Sequence, residues 1–211
     1  MREWLDDEPK GWRYWKFLLI CVIWMLAYGF AVGEMMVDYY YQNKSLPGLL
    51  VHSIPFLSQD IFSERHEMIL NLYTYPWWLM FLIMVRQVFS EEIRFRWAAL
   101  FPATKILGNS IITILIAVLA SFFFGWRHGH LLKEGLIFVP IQGVIGLALS
   151  LIYLKCGGLH KHNWKALWSS FLAHLTFNLT LSIPVIAFFY IQDKHPDWLN
   201  NLDKQMEPFS R

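Results

Sequence analysis

The segment MILNLYTYPWWLMFLIMV, Met68–Val85, contains no charged residue, and SEEIRFRW, Ser90–Trp97, follows shortly after it. A charge-free run of this length approaches the ~20 residues that a helix needs to cross the hydrocarbon core of a bilayer. Ionisable residues at the end of such a run are costly in a membrane unless they are solvated or carry out a function. The sequence therefore predicts a membrane helix that ends in a charged cluster, either at a solvated edge or in a reaction centre.

The composition is that of an integral membrane protein. Of the 211 residues, 56% are hydrophobic and only 16% are charged, whereas soluble domains carry about 25% charged residues. The net charge of +2 is too small to indicate a nucleic acid partner. Cys21 and Cys156 lie in or beside apolar runs, so we expect no disulfide framework.

Five apolar stretches approach or exceed the length of a membrane-spanning helix. They are Phe17–Gly33, Met68–Val85, Ile106–Trp126, Gly135–Leu154 and Ala166–Gln192. The amphipathic segment Arg86–Pro102 either extends the second helix or forms a separate one, and we favour a separate or sharply kinked helix ending near Pro102. The predicted fold is all-α, a polytopic membrane helical bundle of five to six transmembrane segments.

This pattern divides the chain into three parts. Residues 1–67 are expected to form an N-terminal membrane helix and an interfacial loop, because the segment after Gly33 is polar and contains turn residues. Residues 68–192 are expected to form the helical core. Residues 193–211 form a short polar tail with both signs of charge.

Polar side chains occur at three places within or beside these apolar runs. The three groups are Glu91 and Glu92 with Arg96, Phe124 with His128, and His174 with Asn178. Each has a structural explanation when taken alone: a charged membrane edge, an interfacial histidine, and a hydrogen-bonding pair between helices. Each is also a candidate functional site, because ionisable residues in membranes usually serve a function.

The depth of these residues favours one common site. Suppose that helices turn near Gly108 and near Gly158 on the same side of the bilayer. At ~1.5 Å per residue, four residues then fall within about one helical turn of a common depth, near the opposite face. These four are Glu91, His128, His174 and Asn178. Independent edge residues would have no reason to share a depth, so the estimate supports their convergence.

The three groups resemble the motifs of the CPBP family of intramembrane proteases, which joins type II CAAX prenyl proteases to bacteriocin-processing and self-immunity proteins. The motifs are E-E-x-x-x-R, F-x-x-x-H and H-x-x-x-N, in the family's order. The similarity covers Val88–Thr180 and includes a glycine-punctuated segment, Gly143–Leu159. Two features depart from the pattern: Trp97 stands where a glycine is frequent, and HKHN, His160–Asn163, is additional.

The resemblance implies an active endopeptidase that cleaves a membrane-associated peptide or protein. In this reading Glu91 is the general base, His128 holds or polarises the same water, and His174 and Asn178 stabilise the oxyanion. Glu92, Arg96 and Phe124 support them. The expected location is a prokaryotic plasma (inner) membrane, crossed several times.

Two alternatives stay open. Glu91, His128 and His174 could bind zinc with water in the fourth position. The sequence has no H-E-x-x-H motif, and Asn178 suits an oxyanion hole better than a zinc site, so we favour a mechanism without a cofactor. A non-catalytic membrane immunity or scaffold protein is the alternative from another functional class.

Overall fold

The computed structural model describes residues 2–42, 76–128, 139–160 and 162–194. These residues form helices and turns and contain no strand, which confirms the all-α prediction. The α-helices are α1 Arg2–Asp6, α2 Gly11–Gln42, α3 Trp77–Glu92, α4 Ala99–Leu107, α5 Ile111–Trp126, α6 Val144–Lys155 and α7 Asn163–Lys194. Ile93–Ala98 and Val139–Gly143 are π-helical, and Gly158–His160 is a 3₁₀ turn. The chain divides into two compact units, Met1–Met25 with Phe81–Thr176 and Leu26–Met80 with Phe177–Arg211.

Two helical runs among the described residues are long and apolar enough to cross a membrane, Gly11–Gly33 and Val139–His160. The predicted spans Phe17–Gly33 and Ala166–Gln192 lie within α2 and α7. The predicted span Ile106–Trp126 begins too early, because one helix ends at Leu107 and α5 begins at Ile111 after the turn at Gly108. Parts of Met68–Val85 and Gly135–Leu154, most of the predicted interfacial loop and nearly all of the predicted tail lie outside the described residues. The number of five to six spans therefore stays a prediction.

The two turns predicted from glycines are present. Gly108 ends α4 with a φ of +55°, and Gly157 has a φ of +124° just after α6. Residues with a side chain rarely adopt such values, so glycine permits both reversals. After the first turn, Oγ of Ser110 accepts a hydrogen bond from the backbone N–H of Thr113 at 3.2 Å and caps α5.

The prediction that Arg86–Pro102 forms a separate helix is wrong. The backbone is helical from α3 through the π-helical segment Ile93–Ala98 into α4, and Pro102 lies inside α4. The residues buried along this stretch recur every four positions, at Val88, Glu92, Arg96 and Leu100. In an α-helix of 3.6 residues per turn, such a series drifts around the surface. The wider π turn counteracts the drift, so one helical face carries both the charged pair and the apolar residues.

Helix α5 distributes its apolar and polar side chains as a membrane helix does. Its exposed face consists of large apolar side chains, which include Ile111, Ile112, Leu115, Val118, Leu119, Phe122 and Phe123. Apart from Phe124, its buried residues are small or polar: Thr113, Ala117, Ala120, Ser121 and Gly125. Helices in bilayers pack through small residues and leave their apolar side chains to the lipid. This arrangement supports a membrane-embedded chain.

Glycines allow neighbouring helical segments to approach each other closely. A Cβ atom on Gly125 of α5 would lie 2.8 Å from the backbone nitrogen of Gly143. In the second unit, a Cβ on Gly29 of α2 would lie 2.7 Å from the carbonyl oxygen of Phe177 on α7. Four residues further, a Cβ on Gly33 would lie equally close, at 2.7 Å, to the carbonyl oxygen of Leu181. This G-x-x-x-G spacing brings α2 and α7 into backbone contact.

The segment before α2 is fastened to the region where α6 ends and α7 begins. Nζ of the buried Lys155 donates to the backbone carbonyls of Trp4 and Asp7. Nζ of Lys165 donates to Oε1 of Glu8 at 2.7 Å. We call these five residues the N-terminal clamp.

The Glu8 carboxylate makes the clamp sensitive to pH. Besides its bond from Lys165, it lies 3.1 Å from Nδ1 of His162. Burial alone would raise the pKa of Glu8, but the hydrogen bonds and charges of Lys165 and His162 outweigh burial and hold the pKa below its ordinary value of 4.5. When folding lowers the pKa of a carboxyl group, the ionised group stabilises the folded protein. This contribution is complete above the pKa that the group has in the unfolded chain. It is lost as the pH falls through the lower pKa that the group has in the folded protein.

We therefore expect Glu8→Gln to lower the thermal unfolding temperature in detergent at pH 7, and the difference from wild type to shrink below about pH 4.5. The matched control is Asp7→Asn, because the Asp7 side chain pairs with Arg13 where both side chains are more than half exposed. Exposed pairs contribute little, so this variant should follow wild type at every pH. Equal effects of the two substitutions at pH 7 would contradict the role of the clamp.

Candidate active site

Four elements of the first unit bring the candidate residues together. The last turn of α3 carries Glu91 and Glu92, and the π-helical segment that follows carries Arg96. The end of α5 carries Phe124, and the middle of α7 carries His174. The closest contacts are between α3 and α7, where a histidine meets the two glutamates.

His174 lies between the two carboxylates. Its Nδ1 is 2.8 Å from Oε1 of Glu92, and its Nε2 is 3.5 Å from Oε2 of Glu91. A carboxylate can only accept a hydrogen bond, so Nδ1 carries the hydrogen when Glu92 is ionised. Glu92 thereby fixes the tautomer and orientation of the ring and directs Nε2 towards Glu91.

The two glutamates differ in their access to solvent. The side chain of Glu92 is 0% exposed, and that of Glu91 is 14% exposed. A water molecule that is to be activated must reach the carboxylate that abstracts its proton. This difference favours Glu91 for the reactive position and Glu92 for an orienting position.

Arg96 balances the charge of Glu92 in the interior. Its side chain is 1% exposed, and Nη1 lies 3.4 Å from Oε1 of Glu92, four residues earlier. Nη2 donates to the carbonyl oxygen of Gly146 on α6 at 3.2 Å. The guanidinium carbon lies 4.7 Å from the centre of the Phe124 ring, a cation–π arrangement. Buried charges need such partners, since an unpaired one costs several kcal/mol or more.

The Phe124 ring connects the groups of the site. It lies 4.7 Å from the ring of His128 and 5.5 Å from the ring of His174, measured between centroids. Nδ1 of His128 is 2.7 Å from the backbone carbonyl of Phe124, which can only accept, so Nδ1 carries the hydrogen. Nε2 is then the basic atom of His128 when the ring is neutral.

A glycine on α6 makes room for this arrangement. A Cβ atom on Gly146 would lie 3.0 Å from Cδ1 of Phe124, tighter than ordinary van der Waals contact. The carbonyl oxygen of Gly146 accepts from Arg96 and also from Oγ of Ser150, the latter at 2.8 Å. Glu92, Phe124 and Gly146 therefore hold Arg96 from three sides.

Asn178 lies outside the unit that holds the other candidate residues. It follows His174 by one turn of α7 and belongs to the second compact unit, where its backbone carbonyl accepts from Oγ of Ser182 at 2.7 Å. The structure brings the other six predicted residues into one cluster within the first unit. The catalytic and supporting roles assigned to all seven stay predictions.

The sequence analysis missed two residues that contact this cluster. Gly146 provides a backbone carbonyl that accepts a hydrogen bond from Arg96, and a motif of side chains cannot predict a backbone acceptor. Gln87 donates from Nε2 to Oε1 of Glu91 at 3.2 Å, and its signal is the spacing of four residues on one helix. Among the residues that the structure describes, no three His, Cys, Asp or Glu side chains are grouped as metal ligands.

Comparison with protein families gives one match. The model for Rce1-like type II CAAX prenyl endopeptidases matches residues 73–180, just over half of the chain. This range begins before Gln87 and ends after Asn178, so it contains the whole candidate site. No curated protein matches the chain, and no solved structure matches it.

Proposed function

Because the chain belongs to the family of Rce1-like type II CAAX prenyl endopeptidases, we propose that it cleaves a membrane-associated peptide or protein with Glu91 as the general base. The observation that carries the mechanism is the position of His174 between Glu91 and Glu92. A histidine oriented by a buried carboxylate and facing a second, more accessible one is suited to proton transfer.

The first step is attack by water on the scissile carbonyl. Glu91 takes one proton from the water, and the oxygen of the water forms a bond with the carbonyl carbon. His128 polarises the same water through its Nε2 atom. The carbonyl oxygen becomes an oxyanion, which is stabilised by donors aimed at it. These donors are the protonated Nε2 of His174 and the side-chain amide of Asn178, one turn further along α7.

The second step breaks the peptide bond. The C–N bond of the tetrahedral intermediate breaks as its nitrogen receives the proton that Glu91 took from the water. Nε2 of His174 lies next to the Glu91 carboxylate, at 3.5 Å, and keeps its own proton on the oxyanion until the carbonyl forms again. Glu92 keeps the imidazole in position throughout, and Arg96 offsets the charge of Glu92.

The proposal includes the membrane setting. We place the enzyme in a prokaryotic plasma membrane, as a bundle of five to six spans. Its support is the apolar exposed face of α5, the two candidate spans Gly11–Gly33 and Val139–His160, and the family. The substrate is a membrane-associated peptide or protein that reaches Glu91 from within or beside the bilayer.

We propose a mechanism that needs no metal ion, with zinc as the alternative. Nδ1 of His174 is already bonded to Glu92, so only Nε2 could bind zinc, together with Glu91 and His128. Zinc, if bound there, would activate a water and polarise the carbonyl as a Lewis acid. Both versions use the same three side chains, so the dependence on zinc has to be measured.

The test is cleavage of a quenched library of membrane peptides by the purified protein in lipid vesicles. Wild type and His174→Ala are compared, each with and without a strong chelator. Activity that His174→Ala removes and the chelator leaves intact supports the proposal. Activity that the chelator removes and zinc restores identifies the zinc version. Absence of cleavage by wild type across the library contradicts the protease function and favours the scaffold alternative.

A further inference from the structure

Gln87 is a polar residue of α3 that the mechanism above does not use. It lies one turn before Glu91, and its side-chain amide donates to Oε1 of that carboxylate at 3.2 Å. The other carboxylate oxygen, Oε2, faces Nε2 of His174 at 3.5 Å. Each oxygen of the general base therefore has its own partner, one from α3 and one from α7.

Two partners on opposite oxygens restrict how a carboxylate can turn. Glutamate has three rotatable side-chain bonds, and a partly exposed carboxylate without partners samples several orientations. The Gln87 amide and the His174 ring together fix the plane of the Glu91 carboxylate. A base in the correct orientation gains rate, because misplacement of a reacting group by about 1 Å can cost 10²-fold.

We propose that Gln87 is a positioning residue that holds the Glu91 carboxylate oriented for attack on water. This inference rests on the proposed function. The Gln87 amide donates to Oε1 of Glu91 but has no charge of its own, so it fixes the carboxylate without neutralising it. Its removal should leave the carboxylate free to turn and lower the rate of attack.

Substitution of Gln87 leaves the other charged or titratable side chains of the site unchanged in identity. They are Glu92 beside Glu91 on α3, Arg96 on the π-helical segment, His174 on α7 and His128 just after α5. Arg94 is engaged elsewhere, since it donates to Oγ of Ser90. We therefore expect a change in the kcat of Gln87 variants to report on the Gln87–Glu91 contact.

Three substitutions give different expected losses. Gln87→Leu removes the donor and should lower kcat by about threefold to tenfold, with KM nearly unchanged. Gln87→Glu replaces the donor by a second carboxylate and should lower kcat at least as far. Gln87→Lys keeps a donor four residues from Glu91 and should retain more of the wild-type kcat than Gln87→Leu.

Ser90→Ala is the matched control. Like Gln87, Ser90 forms an exposed side-chain hydrogen bond with the residue four positions later. That residue is Arg94, which donates to Oγ of Ser90. This variant should keep the wild-type kcat. Thermal unfolding of all variants in detergent should stay close to wild type, because exposed contacts of this kind stabilise helices by only a few tenths of a kcal/mol.

The outcomes separate this inference from the proposed function. Wild-type cleavage that Glu91→Gln abolishes, with the same kcat for wild type and the three Gln87 variants, overturns the role of Gln87 alone. A loss of kcat in Ser90→Ala as large as that in Gln87→Leu also overturns it, because the effect would then be general to the helix. Absence of wild-type cleavage, or full activity of Glu91→Gln, overturns both proposals.

Discussion

Replacement of Glu91 by glutamine should lower kcat by about 10²–10⁴-fold, the range that a general base usually contributes. Glutamine has nearly the same shape as glutamate and can still bond to Gln87 and His174, but it cannot accept a proton from water. His174 and Arg96 keep Glu92 as their buried partner, so the loss of the Glu91 charge should cost little stability. Thermal unfolding in detergent should therefore be unchanged while cleavage is lost.

A second substitution at the same position separates chemistry from contact. Glu91→Asp keeps the carboxylate but draws it back by one methylene from Gln87 and His174. It should retain measurable cleavage, well above that of Glu91→Gln. If Glu91→Gln cleaves as fast as wild type, Glu91 is not the base, and the more buried Glu92 or a metal-bound water would have to take that role.

The largest effect on stability is expected from Arg96→Met. Methionine fills much of the same volume but leaves the buried carboxylate of Glu92 without its arginine partner. Removal of one member of a buried ion pair typically costs 3–5 kcal/mol. We expect a strongly lowered unfolding temperature in detergent and a marked loss of folded protein.

The double variant Glu92→Gln with Arg96→Met tests the cause. It removes both charges, so no buried charge stands alone, and replacement of a buried pair by neutral groups is often close to neutral. Stability should recover most of the way, whereas cleavage should not, because a glutamine at position 92 cannot orient His174 as a carboxylate does. A double variant as unstable as Arg96→Met would show that shape, and not charge, sets the cost.

Local features of the sequence predicted much of the fold. Charge-free runs identified helical segments, and the glycines at 108 and near 158 marked reversals because a positive φ is cheap only for glycine. The residues of the cluster were found through their spacing of four on helices and through a family resemblance. Their depth could be estimated because the rise per residue of a helix is constant.

Features that depend on tertiary contacts could not be predicted. The π-helical turn after Glu92 follows from which side chains are buried against the neighbouring helices, and no local preference encodes it. The acceptor for Arg96 on α6 is the backbone carbonyl of Gly146, and backbone acceptors leave no trace in side-chain patterns. Pro102 suggested a helix end, but the helix continues to Leu107 because packing outweighs local preference.

The N-terminal clamp also sets the order in which the chain can assemble. Lys155 and its acceptor at Trp4 are 151 residues apart, so the first helix emerges from the ribosome long before its anchor. At ~5–20 residues per second, synthesis takes roughly 8–30 s to reach that lysine. The clamp is therefore among the last contacts to form, and a nascent chain that stops before α6 has inserted its first span without fastening it.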